Sequence, residues 1–555
     1  MIWHQSSLSK SISVLSLIKH KCHFSISGVY LVTLLKQCSN LKHIQQTHGL
    51  MIFRGFDQDN FHLSHFIDSC SSLGFFHYAY LVFTHKSQPN VYLYNTIIKA
   101  LSNSPSPFGA IFLFNKIQAA GLRPDTYSFP FVLKAVVKLS ALEIGRQIHC
   151  QSIGPGLDFD VHVVTALVQT YGACKCISDA RKLFDGLSLR AGHVALWNAM
   201  VAGYVKVGDL KNARGLFERM TERNVISWTI LIAGYAQIDL NNEAISIFQR
   251  MVLEDVEPDE IALLAALSAC AHLGAIGLGE CIHNYIDELG LYKTIPLNNA
   301  LIDMYAKSGN MEKALHVCKN MKNKSVITWT TMIAGLALHG LGREALDMFS
   351  QMEMSGTKPN EITFIAILSA CSHVGFVELG RSFFENMKLR YGIEPKVEHY
   401  GCMIDLLSRA GYLQEARELL ETMPFDANAA IWGSLLAASN IYGDAELGEC
   451  ALLHLIKLEP HNSGNYTLLS NIYASLGKWS ESRMVRNIMR NIGVKKMPGW
   501  SYIEVNSRVH EFIAGDTSHP DFDRIYQVLC KLHWQLKTTQ HLQNESCRLL
   551  VIDEG

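Results

Sequence analysis

The sequence predicts an all-α fold, a solenoid of stacked helical hairpins, and three observations carry that expectation. First, "NVISWTILIAGYAQ" at 224–237 returns 101 residues later as "SVITWTTMIAGLAL" at 325–338, and "IALLAALSACAHLGAIGLG" at 261–279 returns at the same separation as "ITFIAILSACSHVGFVELG" at 362–380. Second, the period divides into blocks 225–259, 260–294 and 295–325, whose lengths of 35, 35 and 31 residues sum to it. Third, apolar residues within a block keep helical spacing twice, as in Trp228, Leu231, Ile232 and Tyr235, then Ala244, Ile247, Phe248 and Met251, with the polar "IDLNN" between them. Such a hairpin cannot bury two apolar faces alone, so neighbouring tiles must stack into a continuous core with one long concave surface.

Taken in order, residues 1–28 differ from everything after them. No Asp or Glu precedes Asp57, and residues 1–27 carry eight serines with Lys10, Lys19 and Lys21. Leu8, Ile12 and Leu15 add a short apolar stripe at helical spacing. This composition is that of an organelle transit peptide, and an irregular surface tail is the alternative. The repeat frame then gives a degenerate start at 29–60 and tiles at 61–90, 91–125, 126–160, 161–193 and 194–224. Beyond 325 it gives tiles at 326–360, 361–396 and 397–428. The endings "LRPD" at 122–125, "VEPD" at 256–259 and "TKPN" at 357–360 put Pro just past the second helix, where it stops that helix. After Asn428 the wording changes. Residues 429–506 still read as helical hairpins but lack the unit ending, 507–540 is a further extension, and 541–555 an irregular tail.

Composition excludes several classes. A formal net charge of −1 means that any nucleic-acid contact must be local. The 14 cysteines are scattered, with Cys174 and Cys176 the only close pair and no CxxC, which suits buried side chains in a reducing compartment and neither a disulfide framework nor a zinc site. The uncharged stretch 261–279 has the length of a membrane span. Its second copy carries Glu378 in the same register, so a pair of buried helices joined at a glycine explains both copies and no membrane partner is expected.

The phrases "YNTIIKAL", "WNAMVAGY", "WTILIAGY" and "WTTMIAGL" near tile starts, "EAISIFQRM" and "EALDMFSQM" in second helices, and the G-x-x-P-[DN] endings resemble pentatricopeptide repeats. The alternation of lengths, with "LSACAHLG" and "IDMYAKSGN", resembles the plant subfamily that mixes three unit types. The resemblance spans about residues 29–540. It implies a right-handed superhelix that binds single-stranded organellar RNA one base per tile, and a C-terminal extension of tetratricopeptide-like pairs that binds protein. In many relatives, text like "VHEFIAGDTSHPDFDRIYQVLCKLHWQLK" leads into a zinc-dependent cytidine deaminase domain. That chemistry needs H-x-E followed by P-C-x-x-C, and neither occurs: at His510 the Glu is adjacent. No catalysis and no cofactor or metal are expected of this chain.

The family's base-reading positions are the fifth and last residues of each tile. Here they are Asn95 with Asp125, Asn198 with Asn224, Thr229 with Asp259, Asn299 with Ser325, and Thr330 with Asn360. The resemblance assigns these pairs to U, to C or U, to G, to C and to A, giving 5′-U-n-n-Y-G-n-C-A-3′, with the edited cytidine downstream. Leu264 with Thr294 and Ile365 with Lys396 are uninformative spacers. Taken one at a time, the same residues would serve as helix caps and turns. Lys138, Lys206, Lys307 and Arg409 all hold the thirteenth place of their tiles, where a row of cations would meet phosphates or simply end solvated helices. The expected function is site recognition for organellar C-to-U RNA editing in the mitochondrion, or alternatively the chloroplast. The extension at 429–540 would recruit a deaminase-bearing pentatricopeptide protein or an editing accessory factor in trans. A factor for splicing, stability or translation, and a scaffold that binds proteins only, are the alternatives.

Overall fold

The computed structural model describes residues 28–187, 193–288, 290, 294–494, 499–505 and 508–538. Apart from Gly28, the expected leader lies outside the described residues, as does the tail at 541–555. The described residues form 29 helices and one antiparallel strand pair, in two compact units divided between Ala262 and Leu263.

Both units are helical-repeat solenoids built from the predicted tiles. In the first unit, helices start at the tile boundaries in Val91–Asn103, Val161–Ala173, Val194–Lys206 and Val225–Gln237, while that of tile 126–160 starts two residues in, as Ser128–Leu139. The second unit repeats the plan with Ile295–Lys307, Val326–Leu338, Glu361–Val374 and Val397–Arg409. Each of these first helices pairs with the second helix of its own tile, such as Asn241–Leu253 or Gly342–Met354, and packs against the first helices of adjacent tiles within its unit. Contact on several sides explains why Glu361–Val374 is apolar nearly all round. Its uncharged run ends at Gly375, whose φ of +79° turns the chain into Val377–Leu389. Gly274, at φ +64°, does the same for the related stretch 261–279. Among the described residues no helix is long and apolar enough to cross a membrane.

The apolar residues picked out by spacing are the core. Trp228, Leu231 and Ile232 have no exposed surface, and Tyr235, Ala244, Ile247, Phe248 and Met251 are buried beside them. Two half-buried histidines recur in one register: Nδ1 of His149 lies 2.9 Å from the Tyr171 hydroxyl and that of His283 lies 2.8 Å from Tyr305. Burial lowers the pKa of both imidazoles, which favours the neutral ring beside each phenol.

At the C-terminal end, one core runs from Ile404 and Leu407 through Trp432, Leu436 and Leu455 to Tyr466, Ile472 and Val485. Packing is therefore continuous across 428/429, although the sequence pattern changes there. Past the helical hairpins the chain forms strands Trp500–Val505 and Arg508–Ile513, with Trp500 opposite Ile513 and Ile503 opposite His510. This pair is a local departure from the all-α expectation, and the boundary drawn at 506/507 falls between its two strands. Its cause is legible in "WSYIEV", where aromatic and β-branched residues crowd six positions.

Tile stacking is close enough to admit only glycine in places. A Cβ on Gly172 would sit 2.8 Å from the Gly203 Cα, backbone against backbone, whereas one on Gly215 would meet nothing within 4 Å. Gly172→Ala should therefore lose about 1–3 kcal/mol of stability. Gly215→Ala should gain up to about 1 kcal/mol from reduced chain entropy. Thermal melts of the two purified variants check the opposite signs.

Candidate nucleic-acid interface

A helix begins with backbone N–H groups that no preceding turn can satisfy. At these tile boundaries the last residue of one tile satisfies them for the next. Asn224 Oδ1 accepts from the Ser227 N–H at 3.1 Å, Asn360 Oδ1 from the Thr363 N–H at 3.0 Å, and Ser325 Oγ from the Thr328 N–H at 3.2 Å. Asp125 Oδ1 accepts from the N–H groups of Tyr127 and Ser128, and Asp259 Oδ1 from that of Ala262 at 2.8 Å. Asn224, Asp259, Ser325 and Asn360 thus cap the helices that follow them, and Asp125 holds the turn that leads into Ser128–Leu139.

Capping and pairing are not alternatives, because the fifth residue of the same tile reaches the cap from the other side. Asn95 Nδ2 donates to Asp125 Oδ1 at 2.8 Å, Asn198 Nδ2 to Asn224 Oδ1 at 3.0 Å, and Thr229 Oγ1 to Asp259 Oδ1 at 2.9 Å. The other two pairs are joined indirectly. Asn299 Oδ1 accepts from Thr328 Oγ1 at 2.7 Å, and the Thr330 hydroxyl lies 2.8 Å from that of Thr363. Asn95, Asn198, Thr229 and Thr330 are all buried, and Asn198 Oδ1 has no hydrogen-bond partner among the described residues. A buried acceptor left open in this way is costly unless something supplies a donor.

Three features escaped sequence reasoning. The third residue of the following tile, a Ser or Thr in Ser128, Ser227, Thr328 and Thr363, completes the cluster. Its signal was visible as [DNS]-x-x-[ST] at each boundary, a capping box. Next to the polar cluster, the second residue of many tiles projects an apolar side chain into solvent. Tyr92, Tyr127 and Ile226 do so in the first unit, and Ile327 and Ile362, the latter 61% exposed, in the second. Isolated exposed apolar residues are ordinary, but the same place in successive tiles makes a ladder of flat, sticky surfaces. Lastly, the tile at 161–193, left without an informative pair, holds a cavity of about 410 Å³ lined by Pro130, His162, Thr165, Gln169, His193 and Ala195. The Thr165 hydroxyl there is buried without a partner.

The four cations at the thirteenth place all lie in the last turn of their helices and are exposed. Two of them are engaged: Lys307 Nζ pairs with Asp303 at 2.9 Å and Arg409 Nε with Asp405 at 2.8 Å. Lys138 makes only a 3.5 Å approach to the Ser104 carbonyl, and Lys206 has no acidic partner among the described residues. The spacer pairs also differ from the polar clusters. Lys396 turns away to Glu361 at 2.5 Å, which raises its pKa, and caps nothing with a carboxylate or amide oxygen. Among the described residues no group of three His, Cys, Asp or Glu is placed to hold a metal ion.

The geometry defines a class, a helical-repeat protein that presents a polar cluster at each informative tile boundary and, in tiles 91–125, 225–259 and 326–360, an exposed apolar side chain beside it. The chain belongs to the pentatricopeptide repeat family. The "PPR repeat" profile matches residues 195–225, 226–256, 299–326, 362–391 and 398–425, the "PPR repeat family" profile 324–373, and the "E motif" profile 442–504. The chain is 55% identical over 515 residues to the pentatricopeptide repeat-containing protein At5g56310 of Arabidopsis thaliana, covering 92% of this chain and 97% of that one. At5g66520 of the same plant is 42% identical over 509 residues, covering 91% and 82%. Among solved structures, maize PPR10 aligns at 16% identity with a TM-score of 0.43, covering 84% of this chain and 79% of that one.

Asn360→Ala removes a cap that serves both the Thr363 N–H and the tile boundary, and should cost about 0.5–2 kcal/mol. Ile362→Ala, two residues away on the open surface, should stay within about 0.5 kcal/mol of the parent. Denaturant titration of both variants separates the structural row from the exposed one.

Proposed function

We propose that this chain binds single-stranded RNA along its tiles and marks a particular cytidine for C-to-U editing in an organelle, its C-terminal extension recruiting the deaminase in trans. One observation carries the RNA reading. In tiles 91–125, 225–259 and 326–360 a hydrogen-bonded fifth residue stands with an exposed apolar second residue, Tyr92, Ile226 or Ile327, so a base has an edge to bond and a face to lie against. Duplex nucleic acid offers no splayed bases and does not fit that arrangement. The match of 442–504 to an E motif supports the role assigned to the extension.

Phosphate contact in this account falls mainly to Lys138 and Lys206, with Lys307 and Arg409 held back by their own aspartates. Binding should therefore weaken with salt, with a slope of about 0.7 per phosphate contacted. The base preferences implied by the family give 5′-U-n-n-Y-G-n-C-A-3′ across the five pairs.

The test is a pairwise change. Thr229→Asn would make the pair with Asp259 match that of Asn95 with Asp125. Because a buried polar group left unpaired costs about 1–3 kcal/mol, affinity for RNA with G at that position should fall by up to roughly a hundredfold. Preference there should move towards U while other positions stay unchanged. Equal weakening of all RNAs would mean that the pairs are caps and nothing more. The organelle assignment follows from the acid-free, serine-rich leader. Residues 1–28 fused to a fluorescent protein should carry it into mitochondria, and a fusion that stays cytosolic contradicts the assignment.

A further inference from the structure

At three tile boundaries a third side chain stands between the cap and the fifth residue, and its hydroxyl proton has one sensible destination. Ser128 is fully buried; its Oγ accepts the Asp125 N–H at 3.1 Å and lies 2.7 Å from Asn95 Oδ1 and 3.0 Å from Asp125 Oδ1. Asp125 Oδ1 already accepts from two backbone N–H groups and from Asn95 Nδ2. The Ser128 proton therefore goes to Asn95 Oδ1, and the Asn95 amide is held at both ends. Flipping it would set its oxygen against the carboxylate.

At the next case the hydroxyl acts alone. Thr328, also fully buried, accepts the Ser325 N–H at 3.1 Å and donates to Asn299 Oδ1 at 2.7 Å. It is the group that fixes which end of the Asn299 amide faces outward, leaving the amide N–H groups for a ligand acceptor. At Thr363 the proton is drawn to Asn360 Oδ1, 2.9 Å away, so the Thr330 hydroxyl 2.8 Å on the other side donates inward and turns its lone pairs outward.

Two boundaries serve as internal controls. Ser227 Oγ bonds only within its own cap, at 3.0 Å from Asn224 Oδ1, and leaves Asn198 Oδ1 unpartnered. Ala262 has no hydroxyl, and the Thr229 hydroxyl lies 2.9 Å from both the Asp259 carboxylate and the Val225 carbonyl with no third-residue side chain beside it.

We infer that Ser128, Thr328 and Thr363, the third residues of the following tiles, are positioning residues that set the donor or acceptor face each fifth residue offers to an RNA base. The inference deepens the RNA reading above and rests on it. It also predicts an order of importance: Thr328 most, where no second clamp exists, Ser128 less, where Asp125 holds the same amide, and Ser227 least.

The experiment uses the purified full chain and a set of single-stranded RNAs that differ at one position each. Thr328→Val keeps the branched shape and removes the hydroxyl. It should cut discrimination among bases opposite the Asn299 tile by up to roughly tenfold, with preferences elsewhere unchanged. Thr328→Ser should restore the discrimination. Ser128→Ala should give a smaller loss at the Asn95 position, and Ser227→Ala none at the Asn198 position. Thermal melts run alongside report the loss of capping, which all three hydroxyl deletions share. If Thr328→Val lowers the melting temperature and weakens every RNA equally while the parent chain still discriminates at that position, these hydroxyls are caps alone and the inference fails with the RNA reading intact. If the parent chain shows no discrimination at any of the five positions, the RNA reading itself fails. Should Thr328→Val not fold, the comparison of Ser128→Ala with Ser227→Ala decides in the same way.

Discussion

Everything in this structure depends on how a helix begins inside a stack. A tile's first helix starts with free N–H groups, and at the boundaries after Asn224, Ser325 and Asn360 the last side chain of the preceding tile accepts from them, whereas His193, Thr294 and Lys396 make no such bond. At the informative boundaries the residue types that meet this demand are Asp, Asn and Ser, whose oxygen points back to the helix start. An oxygen is held at the same place in every informative tile, a few ångströms from the fifth residue of its own first helix. A row of identically placed polar atoms is thus a by-product of stacking hairpins.

From that by-product a recognition surface follows with little added. In the proposed reading the cap's oxygen orients the fifth side chain, the third residue's hydroxyl sets which of its atoms remain free, and an exposed second residue such as Tyr92 or Ile226 lies beside it. On that reading stability and specificity are built from one set of bonds. Tiles whose boundary departs from the pattern show the contrast: Lys396 makes no side-chain cap bond to its helix and pairs with Glu361.

Much of this was legible in the sequence, and for physical reasons. Tile boundaries were readable because Pro and Gly end the second helices and because Trp228 and its neighbours keep helical spacing, and the helices start at the predicted residues or within two of them. The ten paired positions were readable only through the family resemblance; one residue at a time, Asn224 or Asp259 looks like the cap that it also is. The role of the third-residue hydroxyls is not legible from local spacing, because Ser128 and Thr328 reach across to another helix. The engagement of Lys307 with Asp303 and of Arg409 with Asp405 carried a signal in the sequence, because an acid four residues before a cation shares its helix face. The strand pair at 500–513 was missed because the helical frame was carried past its last hairpin.

The central claim is that successive tile boundaries each choose a base. Selection of single-stranded RNAs from a random pool by the purified chain tests it without presuming any target. The account predicts enrichment at five positions in the register U-n-n-Y-G-n-C-A, with no preference at the three intervening ones. Recovery of RNAs without a shared register, or retention of no RNA at all, would contradict it.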